Sequence, residues 1–111
     1  METNRREAPF RAGLDELYRV IRTRQEAGDV DNSYVARLSA GGQDEVLKKI
    51  GEECTELLLA AKNGSAREML HELADLQFHL LVWMGQSGIT PADLENELAV
   101  RAGVSGLDKK T

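Results

Sequence analysis

A chain of 111 residues, 41% hydrophobic and 30% charged, has the balance of one soluble domain with a modest core that oligomerisation can extend. Its net charge of −5 argues against a sequence-independent nucleic-acid binder, which needs a positive field, and no stretch nears the roughly 20 apolar residues of a membrane span. One cysteine leaves no intramolecular disulfide framework, and the polar start Met1–Arg6 lacks the apolar segment of a signal peptide, so a reducing cytoplasm is the expected location.

Residues 1–9 are polar and end at Pro9, as expected of a loose arm; a folded unit should span 10–103, with 104–111 as a short tail. From Phe10, Leu14, Leu17, Tyr18 and Ile21 keep helical spacing until Gly28 supplies a stop. Asp31, Asn32 and Ser33 offer N-caps to a short segment, Tyr34–Ala40, which Gly41-Gly42 ends. A long helix should run from about Asp44 to Lys62, striped by Val46, Ile50, Leu57 and Ala61 and widened by Leu47, Cys54 and Leu58. Among those neighbours Cys54 reads as a buried small hydrophobe.

Asn63-Gly64 is a turn, and Ser65-x-x-Glu68 reads as a capping box opening the next helix. Met69, Leu73, Leu76, Leu80 and Met84 form its stripe, and it should end near Gly85–Gly88. Thr90-Pro91-Ala92-Asp93 starts a last helix with Leu94 and Leu98 on a small apolar face and Gly103 as its stop. Strands are hard to find, so the expected fold class is all-α.

Two acidic pairs carry the chemistry: Glu53-x-x-Glu56 and, on the following helix, Glu72-x-x-Asp75. Residues three apart share a helix face, and a short turn sets the two helices antiparallel, so four carboxylates can converge. Such a group repels itself unless protons or cations neutralise it. Hard divalent cations that prefer oxygen, Mg²⁺ above all, are the natural counter-charge, and they commonly bridge carboxylates to substrate phosphates. Two such ions can activate an attacking water and stabilise a leaving oxygen. Glu52, beside the ligands, then reads either as a general base for that water or as a plain helix-pairing acid. The competing view of the whole motif is two solvated acidic faces, since 19 acidic residues make chance pairs common.

Lys48, Lys49 and Lys62 lie on the same helix as candidate grips for phosphate. Lys49 is also within reach of Glu45, Glu52 and Glu53 as an ion-pair partner, and Lys62 sits in a last turn where any lysine favours the dipole. His79 shares an edge with Glu72 and Asp75 and suits a hydrogen bond to a ligating carboxylate, or simple packing, better than direct ligation. Trp83 belongs to the core or an interface. Ser105-Gly106 offers a backbone nest for a phosphate or only a flexible turn.

Several blocks, in order, resemble the phosphoribosyl-ATP pyrophosphatase family of the all-α nucleotide pyrophosphatases, over roughly residues 14–110. They are Ser33-Tyr34-Val35-Ala36-x-Leu38, Lys48-Lys49-Ile50-Gly51-Glu52-Glu53-Cys54-Thr55-Glu56, Ala60-Ala61-Lys62-Asn63-Gly64, Glu72-x-Ala74-Asp75-Leu76-x-Phe78-His79 and Arg101-x-Gly103-x-Ser105-Gly106-Leu107. The resemblance implies Mg²⁺-dependent hydrolysis of phosphoribosyl-ATP to phosphoribosyl-AMP and pyrophosphate, the second step of histidine biosynthesis. It implies metal ligation by Glu53, Glu56, Glu72 and Asp75, with Glu52 as a further ligand or base. It adds Arg101 and Ser105 to the substrate-binding candidates. It also implies a homodimer that completes an antiparallel helix bundle, which suits stripes wider than one short chain can bury. The chain departs from the pattern at Gly41-Gly42, where Lys-Gly is usual, at Glu45, where lysine is common, and in the tail Asp108-Lys109-Lys110.

Two other functions compete. A house-cleaning nucleoside triphosphate pyrophosphatase would share the acidic motif and differ in substrate. A non-catalytic helical dimerisation module would use its acids only for solubility, but a scaffold has no need of carboxylates along the border of its packing faces.

Overall fold

The structure, a computed structural model, describes residues 13–103. It contains helices α1 (Leu14–Ala27), α2 (Tyr34–Ala40), α3 (Gln43–Asn63), α4 (Ala66–Ser87) and α5 (Pro91–Ala102), and no strand among the described residues. The all-α expectation holds. The expected start of the first helix at Phe10 lies outside the described residues, as do the arm and the tail.

Local signals set the boundaries. Gly28 ends α1 in the left-handed region at φ 66°, where a Cβ would be strained, and its N–H donates to the Arg24 carbonyl. Ser33 caps α2, its hydroxyl accepting from the Ala36 N–H at 3.0 Å. Ser65 caps α4 in the same way through the Glu68 N–H, without the reciprocal arm of a full box. At Thr90 both arms are present: the hydroxyl accepts from Asp93 N–H, and the Asp93 carboxylate accepts from Thr90 N–H. Ser33 is itself buried, so Ser33→Ala should cost about 0.5–2 kcal/mol of stability, measurable by urea unfolding.

Helices α3 and α4 are joined by only Gly64 and Ser65 and pack along each other as an antiparallel hairpin. Helices α1 and α2 close over its open end. There Ile21, Val35, Val46, Leu81, Val82 and Met84 form the buried core, with Leu17, Tyr18, Leu38, Ile50, Phe78, Trp83 and Ile89 packed against it. The half-buried Gln25 ties the layers together, donating to the Ser39 hydroxyl and the Val82 carbonyl, each at 3.1 Å. Gly85 makes room for it, since a Cβ there would run into the Gln25 amide.

One sequence expectation fails. Helix α3 carries two apolar rows, and the row facing α4 is Val46, Ile50, Glu53 and Leu57 at helical spacing. The other row, Leu47, Cys54, Leu58 and Ala61, faces outward, so Cys54 is exposed rather than buried. A helix that packs on one side within its own chain can bury only about half of so broad a stripe. On α4, Met84 of the expected stripe is buried, whereas Leu73 is exposed.

Candidate metal centre

The hairpin sets polar groups in the middle of both facing rows. Glu53 from α3 and Glu72 from α4 lie on the inward faces, and Glu56 follows Glu53 one turn nearer the link. Glu53, Glu56 and Glu72 each offer a carboxylate oxygen, and the three oxygens lie within 4.8 Å of one another. Glu53 is only 4% exposed. Its Oε1 and the Oε1 of Glu72 are both buried and have no hydrogen-bond partner among the described residues.

Buried polar atoms are almost always paired, so two orphaned carboxylate oxygens on members of one acidic cluster are suited to a ligand. Three closely spaced oxygen donors fit a hard divalent cation and do not fit a soft metal. The electrostatics agree. The Glu72 carboxyl titrates above its ordinary range, first because it is partly desolvated, then because the Glu56 carboxylate repels its charge.

Lys49, half-buried, is the cation nearest the cluster among the described residues. Its Nζ lies 3.6 Å from Glu53 Oε2 and 4.0 Å from Glu52 Oε1, and it makes no pair with Glu45. Desolvation opposes the ammonium charge, but the negative potential of Tyr34, Glu53 and Glu52 outweighs it and the lysine titrates above its ordinary value.

The remaining candidates divide. Glu52 is exposed beside Lys49 and outside the three-oxygen group. Asp75 lies one turn beyond Glu72, but its carboxylate is 3.5 Å from His71 Nε2 and does not join the group. Lys48 and Lys62 are exposed without an ion pair among the described residues. Arg101 pairs with Glu97 at 3.2 Å on α5. Ser105 lies outside the described residues. His79 is buried, yet its Nδ1 meets the Asp75 backbone carbonyl at 2.8 Å and no carboxylate, because a residue one turn on reaches back to that carbonyl. Trp83 packs on the core.

Two residues escaped the sequence reading. His71 was legible through its i,i+4 spacing to Asp75. Tyr34 was not, because its partner is 45 residues away: its hydroxyl lies 2.9 Å from His79 Nε2. A carbonyl oxygen can only accept, so His79 Nδ1 carries the proton there, and the neutral ring's Nε2 accepts from Tyr34. Phe78 stacks near the Tyr34 ring, 6.4 Å between centroids.

Fold and site together define an all-α protein built around a helical hairpin whose facing acids could hold a metal ion. The chain belongs to the phosphoribosyl-ATP pyrophosphohydrolase family, which it matches over residues 14–102. It is 50% identical over 103 residues to a phosphoribosyl-ATP pyrophosphatase of Janthinobacterium sp. (strain Marseille), an alignment covering 87% of this chain and 91% of that one. A protein of the same name from Bordetella avium (strain 197N) is 48% identical, covering 88% and 89%. One from Geotalea daltonii (strain DSM 22248 / JCM 15807 / FRC-32) is 45% identical, covering 87% and 91%.

Proposed function

We propose that this chain hydrolyses phosphoribosyl-ATP to phosphoribosyl-AMP and pyrophosphate, the second step of histidine biosynthesis, with Mg²⁺ bound at the hairpin. The observation that carries the reading is the pair of orphaned buried oxygens on Glu53 and Glu72, set in a chain of this family. Glu53, Glu56 and Glu72 would hold the ion, with Asp75 turning in from His71 to complete the set. Bound there, Mg²⁺ would supply charge neutralisation for the polyphosphate and polarise its oxygens.

The chain's own residues supply the rest. Glu52, exposed beside the cluster, would take the proton of the attacking water as that water's oxygen bonds to phosphorus and the phosphorus–oxygen bond to the leaving group breaks. Lys49, held by Glu53 and Glu52, offers a point charge to the same phosphates. Lys48, Lys62, Arg101 and Ser105 are further substrate contacts. His79 acts by fixing the α2–α4 junction below Asp75, through Tyr34 and the Asp75 carbonyl.

Exposed leucines support a homodimer. Leu58, Leu59, Leu70 and Leu73, on the turn half of the hairpin, are exposed among the described residues. Large exposed apolar side chains grouped on one part of a surface are typical of an interaction face. No helix among the described residues is long and apolar enough to cross a membrane, and a cytoplasmic location without nucleic acid suits the acidic composition.

The test is pyrophosphate release from phosphoribosyl-ATP, with ATP and dCTP in parallel, each with Mg²⁺ and with EDTA. Release from phosphoribosyl-ATP that EDTA abolishes is the expected result. Turnover mainly of the ordinary nucleotides would hand the site to a house-cleaning pyrophosphatase, and silence throughout would leave a dimerisation module.

A further inference from the structure

A recess opens between α2 and the start of α3, lined by Tyr34, Arg37, Leu38, Gly41 and Glu45, with a volume of about 390 Å³. Its polar equipment is specific. The Arg37 guanidinium lies 6.0 Å from the centre of the Tyr34 ring, and one nitrogen donates to the Val30 carbonyl at 3.0 Å. That bond anchors the fork, and its other N–H groups, unbonded among the described residues, can meet an anion. Tyr34 gives its own proton to His79, so its oxygen can only accept from a ligand. Glu45 forms no ion pair among the described residues and is an acceptor as well. The recess therefore presents one forked cation beside two acceptors.

That donor set is complementary to a sugar phosphate. A phosphomonoester takes the guanidinium, and the hydroxyls of a ribose donate to a carboxylate and a phenol oxygen. The position also fits. Glu45, Lys49 and Glu56 lie on the same helix, so the recess stands about 16 Å along the axis from the Glu56 level, with Lys49 between them. A substrate with a polyphosphate at one end and a phosphoribosyl group at the other has its charges distributed in that way.

We propose that the Tyr34–Arg37–Glu45 recess is the subsite for the phosphoribosyl group of the substrate, with Arg37 on its phosphate and Glu45 and Tyr34 on its ribose hydroxyls. This rests on the reading of phosphoribosyl-ATP as the substrate, which the experiment tests separately.

Calorimetric binding of phosphoribosyl-AMP and of AMP to the Mg²⁺-equilibrated protein isolates the contribution of the extra group. The wild-type chain should favour phosphoribosyl-AMP by about tenfold or more, and Arg37→Gln should reduce that preference about tenfold while AMP binding holds. Arg37→Lys should fall between them, because it keeps charge and loses the fork. Glu45→Ala should also weaken phosphoribosyl-AMP; if the carboxylate merely repels phosphate, the same change tightens it and the assignment is overturned. An unchanged preference in Arg37→Gln, in a wild-type background that turns over phosphoribosyl-ATP, sinks the subsite alone. A wild-type chain that never hydrolyses phosphoribosyl-ATP sinks the substrate reading beneath it. Arg37 is exposed, and its circular dichroism spectrum should match the wild type.

Discussion

Glu72→Gln should lower pyrophosphate release by on the order of 10²–10³-fold, the range for losing one preorganised electrostatic contact at a reacting centre, and should also make the metal-free protein more stable at neutral pH. The two effects share a cause. Glu72 is held above its ordinary range by desolvation and by the neighbouring Glu56, so the folded chain prefers it protonated. A carboxyl raised in this way contributes stability that is fully present below its unfolded pKa and is lost as pH rises through its folded pKa. Glutamine mimics the protonated form at every pH. The melting temperatures of variant and wild type should therefore coincide in acid and diverge as pH rises, with the variant higher. Mg²⁺ should reverse the order, because it stabilises the folded wild type by binding deprotonated oxygens that the variant lacks. If the metal-free variant melts lower than the wild type at neutral pH, repulsion is not what strains the cluster.

The largest loss of stability should come from the other end of the hairpin. Leu81 is 1% exposed among Ile21, Val46 and Val82, and Leu81→Ala should cost about 2–5 kcal/mol in transfer and cavity terms. Against a total of about 5–15 kcal/mol for a domain, that is enough to leave the chain marginal. Leu70, 68% exposed, provides the contrast. In an isolated chain Leu70→Ala should lie within about 0.5 kcal/mol of wild type. A larger cost, with a melting temperature that rises with protein concentration, is the signature of a second copy covering the turn half of the hairpin. Light scattering should then give about twice the 12.3 kDa of one chain. A concentration-independent melt at the single-chain mass would remove the homodimer.

The acidic pairs were legible because their spacing is a property of one helix, and the short link at Gly64-Ser65 makes the partner helix antiparallel without further information. Their depth was not legible. Helical periodicity placed Glu53 at the border of the stripe, and the structure buries it between Ile50 and Leu57. The same rotation, by about one residue, turned Cys54 out to the surface.

Sequence alone determined the helices, their caps and the carboxylates that could meet, since each of these rests on atoms within a turn or two along the chain. Only the tertiary structure decided which apolar row of α3 faces inward, that Lys49 sits against Glu53 rather than Glu45, and that Asp75 leans toward His71. It alone joined Tyr34 to His79 and opened the recess beside Arg37. These depend on side-chain orientation or on the register between helices remote in sequence, and packing chooses among near-equal faces that local rules leave open.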